Sequence, residues 1–561
     1  MSTKTYQVVV YGADLPGIFA AAKAAGELSS TKANPKVALI VPYPKTRYKD
    51  VFTGQWKEDF LLGGIMTAGG LNYWDDASHN GQPVQRGSYG FYKGALGLGF
   101  NRLALASQCA KSMDNSNGVY VEVYYGSDIY SHTVSNPPYT LRSVNIVPVQ
   151  RNSNGYIIWG STANQITLNA TVFIDASVEG RLARTVNTAC ITGRYDWPLA
   201  YLKENDERNA TNFVGRQQAA TLMFKMKGIS SSGNAFGVSS YTPYSQQNGA
   251  IMNFNKAHQN TDRIMIKPPN AAKDGNGNEE WPGHSAPPES DEWWVNALLI
   301  FDVDGRSNYR DEVANTPYNV ARSYGYMSTD EAWVKAKNFI KTYKTQIEHA
   351  LRTFSEFSGA SIVLDDRGDP IVGDLLYIRE SVHMAKSSTG RAHNSEENYH
   401  LTASETKNAS GSNPPSSSSS GYDYANYANR IGLAKYWCDI HPYQPEDLIN
   451  GNGDYLWFTD DYLYIRPDAV TSPNPVYLPY DMIKTSYVAN LLIPGYGTGV
   501  CSYSWGEVRV FSNLSVLGDA AGVAAAYCCQ RNVYPYQFQD NQKNITDLQN
   551  RLRALSARLE K

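Results

Sequence analysis

Residues 8–22 read VVVYGADLPGIFAAA, an apolar run that ends in a glycine and continues into alanines. Residues 6–11, YQVVVY, have the short unbroken hydrophobicity of a buried parallel strand. Residues 18–25, IFAAAKAA, favour helix. After a charged turn, residues 37–41, VALIV, give a second buried strand. Strand, glycine turn, helix and strand thus fit into about 35 residues, the spacing of a βαβ unit that grips a dinucleotide. Gly12 permits the tight turn, and Gly17 lets the helix approach the strand. Pro16 costs little in the first helical turn, where its missing N–H has no bond to lose. The free N–H groups of that turn face a pyrophosphate.

The loop departs from the G-x-G-x-x-G pattern at its centre, where Asp14 replaces glycine. A carboxylate there repels phosphate, so it either turns away or caps the helix through its side chain. The end of the second strand departs too. It reads Val41-Pro42, where an acidic residue usually accepts the ribose hydroxyls.

The chain has 561 residues, too many for one compact core, so two or three structural units are expected. Charged residues make up 18%, net charge is −3, and no basic stripe occurs, which argues against nucleic acid as a partner. The six cysteines include no C-x-x-C pair, and no metal site is expected. Adjacent Cys528 and Cys529 read as buried thiols. No apolar run reaches 18 residues, so no transmembrane segment is expected. Five N-x-S/T sequons, at Asn169, Asn209, Asn408, Asn513 and Asn544, arise readily in an Asn/Ser-rich chain. The compartment is cytoplasmic if the chain is complete, and secreted or periplasmic if a leader was removed.

Three later segments extend the opening one. Residues 62–75 read LGGIMTAGGLNYWD, with two Gly-Gly pairs. Residues 172–184 read VFIDASVEGRLAR, a strand ending in Asp175-Ala176. Residues 490–526 run from a strand to GDAAG and an alanine-rich stretch. In this order they resemble the FAD-dependent oxidoreductases of the glutathione-reductase type. The nearest branch begins V-V-V-Y-G-x-x-x-A-G, and some of its members are labelled putative xanthan lyase. The likeness covers nearly the whole chain and includes YIRE at 377–380, YHLT at 399–402, DIHP at 439–442 and LPY at 478–480.

The resemblance implies an α/β fold (α+β overall): a Rossmann-like FAD-binding unit with an inserted mixed β-sheet substrate unit. It implies FAD as cofactor. Gly12, Leu15, Pro16 and Gly17 would line the pyrophosphate, with Pro42 beside them. The segment Gly63, Gly64, Ile65, Met66, Thr67, Gly69 and Gly70 would run under diphosphate and flavin. Asp175, Ala176 and Ser177 would close over the first loop. Asp519, with Gly518, Gly522 and Val523, would meet the ribitol and flavin, and a helix starting near Ala520 would aim its positive end at the ring. Without an acid at Val41-Pro42, ribose would rest on backbone, on water, or on Lys45 or Arg47. A basic residue there leaves NADP as a minor alternative.

The FAD unit is expected at 1–195 and 484–535, the substrate unit at 196–483, and an amphipathic C-terminal helix at 536–561. Residues 139–159 read as a hairpin turning at 152–155, and 330–354 as one helix. Residues 404–420 are low-complexity, an expected surface loop. Ile545, Leu548, Leu552, Leu555 and Leu559 form one apolar stripe, which packs on its own unit or makes a homodimer contact.

Flavin oxidation needs an acid or base and groups that hold the substrate. His441 is the first candidate, since histidine titrates near neutrality. His383 is second and shares a face with Arg379 if the segment is helical. Tyr480 can donate a hydrogen bond. Arg379 and Arg509 can clamp a carboxylate or steady negative charge. Relatives often read A-G-R-C-I-S-x-x-H after the last strand, whereas here Tyr496 replaces the arginine and Ser502 the histidine. No second G-x-G-x-x-G follows a later strand. The function expected is therefore oxidation of a small organic molecule by hydride transfer to flavin N5, with reoxidation by oxygen or another acceptor. The alternatives are a flavin monooxygenase, or a polysaccharide-related lyase or sugar-binding protein with structural FAD.

Overall fold

The computed structural model describes residues 2–75, 77–85, 98–116, 118–136, 139–186, 188–197, 214–237, 246–258, 263–274, 290–322, 325–385, 398–402, 405–406, 409, 411–415, 421–436, 439–448 and 474–561. Cys438, sequons Asn209 and Asn408, and most of the low-complexity 404–420 segment lie outside them.

The apolar runs at both ends of the chain join one sheet. Its strands are β1 (Ser2–Tyr11), β2 (Val37–Ile40), β3 (Glu122–Tyr124), β4 (Ser127–Val134), β5 (Leu141–Arg151), β6 (Ile157–Trp159), β7 (Ile166–Asp175) and, from the distant 490s, β13 (Leu491–Leu492). The order is β4-β5-β7-β1-β2-β3, with β6 on β5 and β13 on β7. The pairs β1–β7, β1–β2, β2–β3 and β7–β13 are parallel. The β5–β6 hairpin turns at 152–155, as its sequence indicates. The molecule is thus mixed α/β around a sheet rich in parallel strands.

A second sheet is antiparallel, in the order β9-β10-β11-β8-β12. Its strands are β8 (Phe224–Lys227), β9 (Ala235–Gly237), β10 (Ile264–Lys273), β11 (Glu292–Ile300) and β12 (Ser361–Ile362). The helix expected over 330–354 is two: α2 (Thr329–Thr342) and α3 (Lys344–Leu351), broken at Tyr343, whose φ of −103° and ψ of 21° are not helical. A capping box of Ser328 and Glu331 fixes the start of α2.

Helix α1 (Leu15–Glu27) lies against α5 (Phe511–Arg531), with α4 (Ser502–Val508) just before α5. Glycine lets α1 and α5 touch backbone to backbone. A Cβ at Gly518 would stand 2.3 Å from the Pro16 carbonyl oxygen, and one at Gly522 2.3 Å from that of Ala20. This places α5 well upstream of the expected start near Ala520. Asp519 is the ninth residue of α5, about 12 Å along the axis from its N-terminus. The apolar stripe of α6 (Gln542–Ala554) is already covered within the chain. Ile545, Leu548, Leu552 and Leu559 are fully buried in the core that holds α5.

Gly522→Leu is expected to lower stability by about 2 kcal/mol or more, because two backbones must part. The check is a lower urea midpoint at unchanged slope. Gly26→Ala, where nothing lies within 4 Å of a new Cβ, is the control and should hold or raise the midpoint.

Candidate active site

A cleft of about 890 Å³ opens at the carboxyl ends of β1, β2 and β7. Tyr11, Gly12, Ala13 and Asp14 line it after β1, Pro42 and Tyr43 after β2, and residues 177–179 after β7, with Ile65, Leu376 and Ile378 opposite. Ligands of parallel sheets settle at such strand ends. Close backbone approach defines this cradle. Gly12 has φ +97°, and a Cβ there would stand 2.8 Å from Ala176 and Ser177 backbone atoms. A Cβ on Gly17 would fall 1.9 Å from the Gly12 carbonyl oxygen.

Asp14 occupies the cap position of α1, yet its side chain makes no capping bond. Its Oδ1 accepts from the Ile65 amide at 2.8 Å. The carboxylate thus crosses to the Gly63-Gly64 segment, where Gly64 (φ +57°) leaves it room; a Cβ there would fall 1.9 Å from Oδ1. Tyr43 supports the same junction, donating to the Ala13 carbonyl and accepting from the Gly64 amide, both at 3.2 Å. Burial pushes the Asp14 carboxyl up to about 6, against the pull of the Ile65 N–H.

Of the expected cofactor residues, Gly12, Pro42, Ile65 and Ser177 line the first cleft, and Gly70 lines the second cleft described below. Asp175 is turned inward, accepting from Ser177 and from the Leu182 and Ala183 amides at 2.8 and 2.9 Å. Ala176 packs on Gly12. Thr67 Oγ1 donates to the Leu62 carbonyl at 2.9 Å, and Met66 is buried. Leu15, Pro16, Gly518, Gly522 and Val523 are buried where α1 meets α5. Asp519 is buried there too, 3.8 Å from Lys23 Nζ, with neither carboxylate oxygen hydrogen-bonded; burial pushes it up to about 8. It is neither a helix cap nor a residue lining either cleft.

Glu179, after β7, accepts from Tyr11 Oη at 2.8 Å and from Asn308 Nδ2 at 3.2 Å. Lys45 and Arg47 do not line the cleft. Lys45 lies over Phe60, and Arg47 pairs with Asp365 and Asp366. The basic residue on which an NADP reading would rest is therefore engaged elsewhere.

A second cleft, of about 800 Å³, lies beyond a shared wall. Along 376–379 the side chains divide between the clefts: Leu376 and Ile378 line the first, and Tyr377 and Arg379 the second. Arg509, His441, Asp439, Lys267, Asn296 and Trp294 are among the other side chains that line the second cleft. Val510, the cap residue of α5, also lines it, so the positive end of that 21-residue helix faces this cleft. Arg509 donates to Tyr377 Oη at 2.6 Å and pairs with Asp439. His441 Nε2 stands 3.4 Å from Asp439 Oδ1. Burial and Arg379 push His441 down to about 3, although Asp439 pulls the other way. That lies well below the neutral range expected of it, and burial favours the neutral ring. Lys267, lowered to about 7 by burial and by Arg379, is the group whose value lies near neutrality.

His383 and Tyr480 line neither cleft. His383 sits in a strand, Val382–Met384, rather than a helix, with Nδ1 3.0 Å from the Tyr496 carbonyl. Tyr480 is fully buried and donates to the Pro535 carbonyl at 2.8 Å. Tyr496 donates to the Ile378 carbonyl at 2.7 Å, bracing the shared wall. Ser502 bonds Glu380, and Cys501 caps α4, its sulfur accepting from the Ser504 amide. Among the described residues no cluster suits a metal ion, and no helix is long and apolar enough to cross a membrane.

Residues 57–552 match the sequence model of a family described as FAD dependent oxidoreductase. No curated protein matches the chain. Among solved structures, a geranylgeranyl bacteriochlorophyll reductase-like protein from Thermoplasma acidophilum aligns at 10% identity over 99% of this chain and 84% of that one, with a TM-score of 0.32. E. coli quinol fumarate reductase aligns at 10% identity over 99% and 74%, with a TM-score of 0.28. A p-nitrophenol 4-monooxygenase from Pseudomonas putida aligns at 10% identity over 70% and 71%, with a TM-score of 0.27. Overlays this loose carry no argument about the reaction.

Asp14 gives the junction a pH signature. Its folded carboxyl holds a proton more tightly than the free group at 3.8, so the folded form loses stability as pH rises through about 4 to 6. Asp14→Asn lacks that loss. The stability of the parent chain, read from urea midpoints, should fall relative to Asp14→Asn by on the order of 1–3 kcal/mol between about pH 4 and 7. Parallel pH curves would contradict the assignment.

Proposed function

The chain belongs to the FAD-dependent oxidoreductase family, with FAD as cofactor, and from that premise we propose that it oxidises a small organic molecule in the second cleft while the first cleft holds the cofactor. The Gly12 loop, at the strand ends that line the first cleft, is where a diphosphate would sit; Gly12 and Gly17 let the loop, α1 and the end of β7 pack backbone to backbone behind it. Glu179 and Asn308 are the polar groups placed to meet ribose hydroxyls. When bound, FAD supplies a ring that accepts a hydride, and oxygen or another acceptor then reoxidises it.

The observation that carries this reading is the shared wall at 376–379, which brings substrate-binding side chains within one residue of the cofactor cradle. Arg509, held by Asp439 and Tyr377, is preorganised to face negative charge that develops beside the α5 N-terminus. His441 serves as a fixed neutral hydrogen-bonding ring rather than as the proton store. The apolar Leu376, Ile378 and Trp294 keep water from the wall.

The purified protein should absorb at about 370 and 450 nm, and the band should bleach when a substrate is added without oxygen. Colourless protein that cannot be reconstituted with FAD would overturn the proposal. Consumption of a substrate by a flavin that stays oxidised would replace it with a lyase carrying structural FAD. Arg509→Met should keep the flavin bound while slowing its reduction ~10²-fold. His441→Gln should leave the pH dependence of reduction unmoved, because the parent ring does not titrate near neutrality.

A further inference from the structure

The second cleft holds more cation than it uses. Its lining carries Lys267, Arg379 and Arg509 against Asp75 and Asp439. Arg509 is matched, since Asp439 and Tyr377 take its guanidinium. Arg379 and Lys267 are not matched in this way. Arg379 is 1% exposed; it donates to the Ala219 carbonyl at 2.7 Å, reaches Asn296 Oδ1 only at 3.4 Å, and leaves Nε buried without a partner. Lys267 is 6% exposed, and among the described residues its ammonium meets only the carbonyl of the next residue, Pro268, at 3.4 Å. A buried charge without a counterion is costly, and two beside each other are costlier.

We propose that Arg379 and Lys267 form an anion-binding pair, and that the substrate is an organic acid whose carboxylate they take. This rests on the second cleft being the substrate site. A carboxylate accepts in the plane of a guanidinium fork, and an ammonium can complete it as a point charge. Trp294, Tyr377 and Tyr436 give the rest of the acid an aromatic wall. The pair also predicts proton linkage. The charged and titratable groups facing Lys267 are Arg379 and Tyr377 from the shared wall, Tyr436, Asp439 and His441 from the segment before 442, Arg509 before α5, and Tyr73 and Asp75 from the glycine-rich segment. Burial and Arg379 hold Lys267 down at about 7, and Asp439 pulls it up. A bound carboxylate adds a second upward pull, so binding above about pH 7 takes up a proton.

Benzoate and its neutral isostere benzamide, titrated into the flavin-loaded protein by calorimetry in two buffers of different ionisation enthalpy, test the pair. Benzoate should bind at least about tenfold more tightly than benzamide, with proton uptake at about pH 8. Lys267→Met should abolish the uptake and weaken benzoate, leaving benzamide unchanged. Arg379→Lys should weaken benzoate about tenfold or more while flavin absorbance stays the same. Equal affinity for the two probes, or uptake that survives Lys267→Met, would overturn the proposal. Flavin content read on the same samples separates the two claims. Yellow protein blind to the carboxylate refutes only the anion pair, whereas protein that cannot hold flavin refutes the assignment of the clefts.

Discussion

The structure hangs on a backbone contact that no side chain would allow. At Gly12 the first strand turns within van der Waals distance of Ala176 at the end of β7, and Gly495 from the far end of the chain closes on the same residue. Asp14 then ties this knot to the Gly63-Gly64 segment through the Ile65 amide. A hydrogen bond to an ionised group contributes about 1.5–3 kcal/mol, and burial of the carboxylate more than offsets it, which is why the carboxyl is raised. What the contact secures is geometry. The loop, the segment that leads to Gly70 and the strand ends are held as one body, and both clefts are cut from it.

The local part of this was legible in the sequence. Strand, glycine turn, helix and strand within about 35 residues have few readings, because apolar runs and glycine spacing report backbone requirements directly. The hairpin turning at 152–155 announced itself in the same way. Helix α5 did not. Its alanines begin at Ala520, and the stretch before them, FSNLSVLGD, has weak helical preference. Packing against α1 through Gly518 and Gly522 extends the helix back to Phe511, a tertiary effect that no window of sequence carries. Asp519 therefore lies inside the helix rather than at its tip, and the end facing the second cleft is Val510.

The site was legible by motif and obscure by chemistry. Arg379, His441 and Arg509 come from segments more than 60 residues apart and line one cleft. His383, four residues beyond Arg379, points elsewhere because its segment is extended rather than helical. Lys267 was missed. It is one of two lysines in IMIKPPNAAK, and only the paired strand shows that it is buried and faces the cleft. The titration of histidine was misjudged from its free value. Burial, the one quantity a sequence does not state, lowers His441 out of the neutral range and brings Lys267 into it.

The central claim is that two clefts share the wall at 376–379, one for the cofactor and one for what it oxidises. The most direct measurement is a crystal structure of the purified protein with its flavin. The diphosphate is expected against the Gly12 loop, and the ring edge at the wall with Arg379 and Arg509 across from it. A flavin ring filling the second cleft, or a diphosphate elsewhere than at the Gly12 loop, would contradict it.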